Sequence, residues 1–188
     1  MKQRMCVSRC CCDIEAGTQF GAEVIQYENL GGPLLFNATG VPAASQLRYA
    51  GAFQISAVCF SISGLPAGSY SSARIQFQGG ASTPEPFQDY EWYCPHYPTT
   101  RFADIYLPDS SPAIAWNQSA VSWLPQPSDH LSPDLVSMVN AVTTHPSYTP
   151  MPPGPTAHVI NLLLVPLNPF SFSMFRDVKA LTASLIVS

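Results

Sequence analysis

The residues best equipped for chemistry stand at the start of the chain, where four of the six cysteines occur as Cys6-x3-Cys10-Cys11-Cys12. Four thiolates suit a closed tetrahedral site for a soft metal such as zinc. The spacing works against that use. Structural zinc sites draw on two separated Cys-x2-4-Cys pairs, whereas three consecutive side chains diverge. Two readings remain: reduced thiols on a tail, or thiols that meet a neighbouring subunit and crosslink after release into an oxidising medium. The second is the expectation, which makes Cys6, Cys10, Cys11 and Cys12 interface residues and only weak metal ligands. Such clustering is not a disulfide framework, whose bridges would be spread over the fold. Cys59 lies in an apolar run and reads as a small buried hydrophobe.

In Cys94-Pro95-His96 a thiol and an imidazole stand close to Asp89 and Glu91, the parts of a nucleophile and base. With a proline between them the two side chains diverge, and the segment reads as loop polarity. Asp89, Glu91, Asp104 and Asp109 offer oxygen to calcium, but nothing resembles the D-x-D-x-D-G spacing, so they read as solvated strand faces. His145, closing a helical pattern, is explained by capping carbonyls at the negative end of the helix dipole. No G-x-S-x-G elbow, P-loop, dinucleotide fingerprint or H-E-x-x-H is present. The expectation is therefore a protein that is not an enzyme and uses no cofactor and no metal. The richest remaining feature is aromatic: Phe87, Tyr90, Trp92, Tyr93 and Tyr97. Sugar rings stack on exposed Trp and Tyr, which makes Tyr90, Trp92 and Tyr97 candidate ligand contacts. Aromatic area also dominates cores and interfaces, and Trp92 and Tyr93 are candidates for the latter.

The elements that must position these residues are short. Residues 22–27 (AEVIQY) and 34–36 read as strands around Gly31-Gly32-Pro33. Residues 52–63 (AFQISAVCFSIS) form the strongest candidate, rich in β-branched and aromatic residues and bounded by glycines, so this strand is expected to be central. After the turn at Leu65-Pro66-Ala67-Gly68, residues 70–78 alternate Ala73, Ile75 and Phe77 with Ser72, Arg74 and Gln76, a half-buried strand. Residues 87–93, 102–107, 113–116 and 120–124 follow as further strands, with Trp116 and Trp123 as anchors. One helix is expected, with Ser132 as N-cap, Pro133 in the first turn, Asp134 at the positive dipole end, and Leu135, Val139 and Val142 on one face; His145-Pro146 ends it. Residues 158–165 form a buried strand, and Leu181, Ala183, Leu185 and Val187 alternate in the last. The layout predicts an all-β, jelly-roll-like two-sheet β-sandwich with one short helix in a crossover. Residues 1–20 form a cysteine-rich arm and residues 21–188 a single domain.

Composition narrows the role. The chain has 188 residues, of which 11% are charged and 46% hydrophobic, against roughly 25% charged in ordinary soluble domains. A net charge of −4 cannot build a basic surface for a phosphate backbone, which argues against nucleic acid. Nineteen prolines oppose long helices. No apolar stretch reaches the about 18 residues of a membrane span, and MKQRMCVSRCCCDIEAG lacks the apolar core of a secretory signal, so neither membrane nor export is expected. Without a signal, the glycosylation sequons at Asn37 and Asn117 read as accidental. So much neutral surface implies a partner that covers part of it.

Three segments carry a resemblance: LPAGSYSSARIQF (residues 65–77), AWNQSAVSW with LSPDLVSMVNAVTTHP (residues 115–123 and 131–146), and the closing apolar strand (residues 181–187). Their pattern resembles a jelly-roll β-sandwich domain of phage virion proteins and of large surface proteins of marine bacteria and planctomycetes, the DNRLRE-type modules. The resemblance spans roughly residues 50–188 and implies a building block. It points to a non-enzymatic virion subunit, capsid-decorating, tail or fibre, made in a host cytoplasm and partnered by its own copies or other virion proteins. The alternative is a glycan-binding or adhesive module at a cell surface.

Overall fold

The computed structural model describes residues 17–29, 34–40, 44–49, 55–82, 89–107, 111–117, 129–150, 157–166, 175–179 and 181–188. Among these lie thirteen strands and one helix: β1 (Thr18–Asn29), β2 (Leu34–Gly40), β3 (Ala44–Tyr49), β4 (Ile55–Ile62), β5 (Ala73–Ser82), β6 (Asp89–Tyr93), β7 (Thr99–Thr100), β8 (Ile105–Leu107), β9 (Ile114–Asn117), β10 (Asp129–Leu131), α1 (Val136–Thr143), β11 (His158–Pro166), β12 (Phe175–Lys179) and β13 (Ser184–Val187). The expected all-β fold with one short helix is what the chain adopts.

All the pairings are antiparallel, and several strands change partners along their length, β1 and β5 among them. Thr18 to Gly21 of β1 pair with β13, whereas Ala22 to Asn29 pair with β4. The first half of β5 pairs with β13 and β10, and its second half with β12. The pairings β1–β13–β5–β12–β3–β4 and back to β1 close a ring, so the sheet curls on itself, while β11, β6 and β9 extend from β4. Closure of this kind gives each strand of the ring a partner on both sides over part of its length. Residues 18–20, expected in the arm, thus belong to the paired sheet.

The central strands β4 and β11 are buried along nearly their whole lengths, and their alternate residues enter two separate cores. On one face Val58, Phe60, Ile62, Leu162 and Leu164 meet Ile75 and Phe77 of β5 and Leu135, Val139 and Val142. On the other, Ala57, Cys59, Leu163 and Val165 meet Phe36 of β2 and Ile105 and Leu107 of β8. Burial on both faces is why the sequence there runs apolar without alternation. The expected alternation in β5 is present, with Ala73, Ile75 and Phe77 buried and Arg74 exposed. The last strand buries Leu185 and Val187, and of the residues ahead of it that were expected to continue the alternation Ala183 is buried but Leu181 is fully exposed.

The helix begins later than its capping signals suggest. Asp134 Oδ1 accepts from Val136 N and from Ala73 N, each at 3.0 Å. Ser132, expected as the N-cap, instead accepts from Ile75 N at 2.9 Å and donates to the Pro133 carbonyl. Both side chains therefore tie the helix approach to β5, a tertiary use that the local motif conceals. The predicted strand over 102–107 is also shortened, because Phe102 sits in a turn at φ 60°. The segments at 52–54, 87–88 and 120–124 lie outside the described residues.

Candidate functional site

Five consecutive residues, Cys94-Pro95-His96-Tyr97-Pro98, leave β6 and lead into β7. Their two ends are fixed to the same strand: Tyr93 pairs with Leu163 of β11, and Thr99 pairs with Val159. Prolines at both sides restrict their own φ and the conformations of Cys94 and Tyr97 that precede them. Behind the return point lies a buried polar network. Asn161 Nδ2 donates to Thr99 Oγ1 at 3.0 Å and to the Thr100 carbonyl at 3.3 Å, while Cys59 Sγ lies 3.5 Å from Asn161 Oδ1. His96 and Tyr97, pinned in this way, project to solvent, with Tyr97 46% exposed.

A second aromatic faces the same space. In β8 the neighbours Ile105 and Leu107 are buried, so the two-residue period directs Tyr106 outward, 48% exposed. Its cross-strand partner on β2 is Leu35, itself 42% exposed. Tyr97 and Tyr106, with Cys94, Pro95, His96, Leu107, Ser111 and Pro112, line a cleft of about 270 Å³. Among the described residues that line it there is no carboxylate, ammonium or guanidinium.

The expected site residues separate into three groups. Tyr90, Trp92 and Tyr93 belong to the cores rather than to a binding surface or an interface, a correction to the aromatic-belt expectation. Tyr90 and Trp92 are 1% and 0% exposed, and Trp92 is held between Phe60 and Trp116, with ring centroids 5.4 and 5.8 Å away. Their alternation along β6 turns both toward the larger core. Tyr93 faces the opposite core, and its hydroxyl donates to Glu91 Oε2. Burial, helped by that bond, raises its pKa. Tyr97 alone of the proposed ligand contacts faces solvent. Cys6, Cys10, Cys11 and Cys12 lie outside the described residues.

The sequence reading missed Tyr106 and Leu35. The only available signal was the I-Y-L alternation of residues 105–107, too short to separate from the longer strand expected there.

The thiols near the site are poorly suited to nucleophilic work. Cys94 Sγ lies 3.4 Å from the Pro95 carbonyl, and burial pushes its pKa up to about 12. Cys59 is raised well above the ordinary range, first by burial and then by the neighbouring Cys94 and Glu23. Thiols so placed stay protonated at neutral pH, when nucleophilic attack needs the thiolate. Glu23 is paired with Arg101, whose guanidinium lies 4.5 Å over the Phe102 ring. Among the described residues no group of three or more His, Cys, Asp or Glu side chains gathers as a metal site, and no helix is long and apolar enough to cross a membrane.

No family model, curated protein or solved structure matches the chain.

Proposed function

We propose that the chain is a non-enzymatic structural subunit that joins neighbouring molecules in an assembly, most specifically a virion, on a jelly-roll-like sandwich scaffold. The observation that carries this reading is the β2–β8 ribbon. It presents Leu35 and Tyr106 side by side to solvent in a protein with only 11% charged residues. Exposed apolar side chains that adjoin on a neutral surface mark places where another molecule docks. The virion assignment rests on the resemblance of residues 65–77, 115–123, 131–146 and 181–187 to virion jelly rolls. The protonated state of Cys94 favours a structural over a catalytic role.

Light scattering coupled to size-exclusion chromatography tests the reading. The full-length chain is expected to form a defined oligomer that Leu35→Lys weakens, because the new ammonium must be desolvated on docking. Removal of residues 1–16, which spares β1, is expected to loosen the oligomer while leaving the domain folded. A monomeric wild type across the accessible concentration range, which also fails to co-purify with any particle, overturns the proposal.

A further inference from the structure

We propose that the cleft between Tyr97 and Tyr106 is a binding site for a neutral sugar ring, such as a terminal or internal unit of an uncharged polysaccharide. Three features point there. The first is the aromatic pair, since two half-exposed tyrosines offer apolar faces to the C–H surface of a pyranose and hydroxyls to its rim. The second is charge: among the described residues the lining holds no carboxylate, ammonium or guanidinium, and its polar side chains are the hydroxyls of Tyr97, Tyr106 and Ser111 and the imidazole of His96, beside apolar ones. Such a lining matches a ligand that carries many hydroxyls and no ionised group, and it pays no desolvation penalty for a fixed charge. The third is preorganisation. Pro95 and Pro98 restrain the segment that carries Tyr97, both its ends are paired with β11, and β8 fixes Tyr106 between two buried neighbours. Side chains already held in place lose little freedom on binding. At about 270 Å³ the cleft lies near the lower end of small-molecule sites, about 300–1,000 Å³, a size suited to a single ring.

This site shares Tyr106 with the association surface, but each has a residue the other lacks. Leu35 belongs to the ribbon and not to the cleft lining, and Tyr97 belongs to the lining and not to the ribbon. Affinity electrophoresis of the full-length chain in gels containing laminarin, dextran, xylan or galactomannan, with alginate as an anionic comparison, tests it. The wild type is expected to be retarded by at least one neutral polymer and not by alginate alone. Tyr97→Ala and Tyr106→Ala are each expected to weaken retardation roughly tenfold or more, with circular dichroism unchanged because both side chains stand at the surface. Tyr97→Phe, which keeps the ring face, and Leu35→Lys are expected to retain it. Absence of retardation by every neutral polymer, retardation by alginate only, or retardation that survives both alanine substitutions overturns the proposal, and none of these outcomes decides whether the wild type is oligomeric or whether Leu35→Lys weakens the oligomer.

Discussion

Asp134→Ala tests whether a single carboxylate couples the helix to the curled sheet. Asp134 Oδ1 accepts two backbone N–H groups at 3.0 Å: that of Val136 at the helix start, and that of Ala73 at the start of β5. Loss of the hydrogen bond to the first helical N–H costs about 1 kcal/mol. The Ala73 N–H lies beside a fully buried side chain, and leaving such a donor unpaired costs about 1–3 kcal/mol. The expected loss is therefore about 2–4 kcal/mol, a substantial share of the roughly 5–15 kcal/mol by which domains are stable. For a chain of this length it corresponds to a fall in Tm of roughly 4–16 °C. Asp134→Asn retains an acceptor oxygen and should lose well under half as much. Urea and thermal unfolding followed by circular dichroism measure both. If the alanine variant loses no more than an ordinary surface substitution, about 0.5 kcal/mol, or if Asn is as damaging as Ala, the coupling role is refuted.

Trp92→Ala should destabilise by about 3–5 kcal/mol, since the indole is fully buried against Phe60 and Trp116; a stable, cooperatively unfolding variant would contradict its place in the core. Iodoacetamide applied to the native chain should leave the peptides containing Cys59 and Cys94 unmodified, as both thiols are buried and Cys94 ionises only near 12, whereas denaturant should expose both; native labelling of either, read by mass spectrometry, counts against the structure. Alkali should destabilise the fold. Cys94 and Tyr70 are raised by burial to about 12 from 9.0 and 10.0, and Tyr27, Tyr148 and Cys59 are also raised, with burial the largest cause. The unfolded chain therefore releases protons from about pH 9 upward while the native chain keeps them. With fewer protons bound in the unfolded state, stability falls as pH rises. These groups contribute little slope below about pH 8, and a Tm that is level from pH 8 to 11 would refute the assignment.

What the sequence made legible follows from how burial writes itself into residue pattern. The runs at 55–62 and 158–166 are apolar on both faces because each side of the central sheet has its own cover, and continuous apolarity is visible without knowing the partners. The alternation of Ala73, Ile75 and Phe77 is equally local. β3 and β12, with the sequences ASQLRY and FRDVK, carry no such signal. They are ordered by pairing with each other and with β4 and β5, and hydrogen-bond partners far apart in sequence leave no local pattern. The same distinction explains the aromatic residues. Tyr90, Trp92 and Tyr97 are chemically alike, and their fates depend on which side of the turn at Pro95 each falls.

The architecture also assigns the neutral surface a cause. A strand buried on both faces needs two covers, and the second cover here is the two-stranded ribbon of β2 and β8, whose inner residues Phe36, Ile105 and Leu107 are drawn into the core. A ribbon only one layer thick must present its alternate residues outward, and at Leu35 and Tyr106 those residues are large and apolar. Polar residues there would serve the fold equally well, because neither side chain contributes to either core. The outer face of the ribbon is thus free of the constraint that shapes its inner face, and it is the face that the proposed docking would use. Tyr97 extends this argument across the cleft, where two prolines and a buried asparagine network hold in place an aromatic ring that the core does not use.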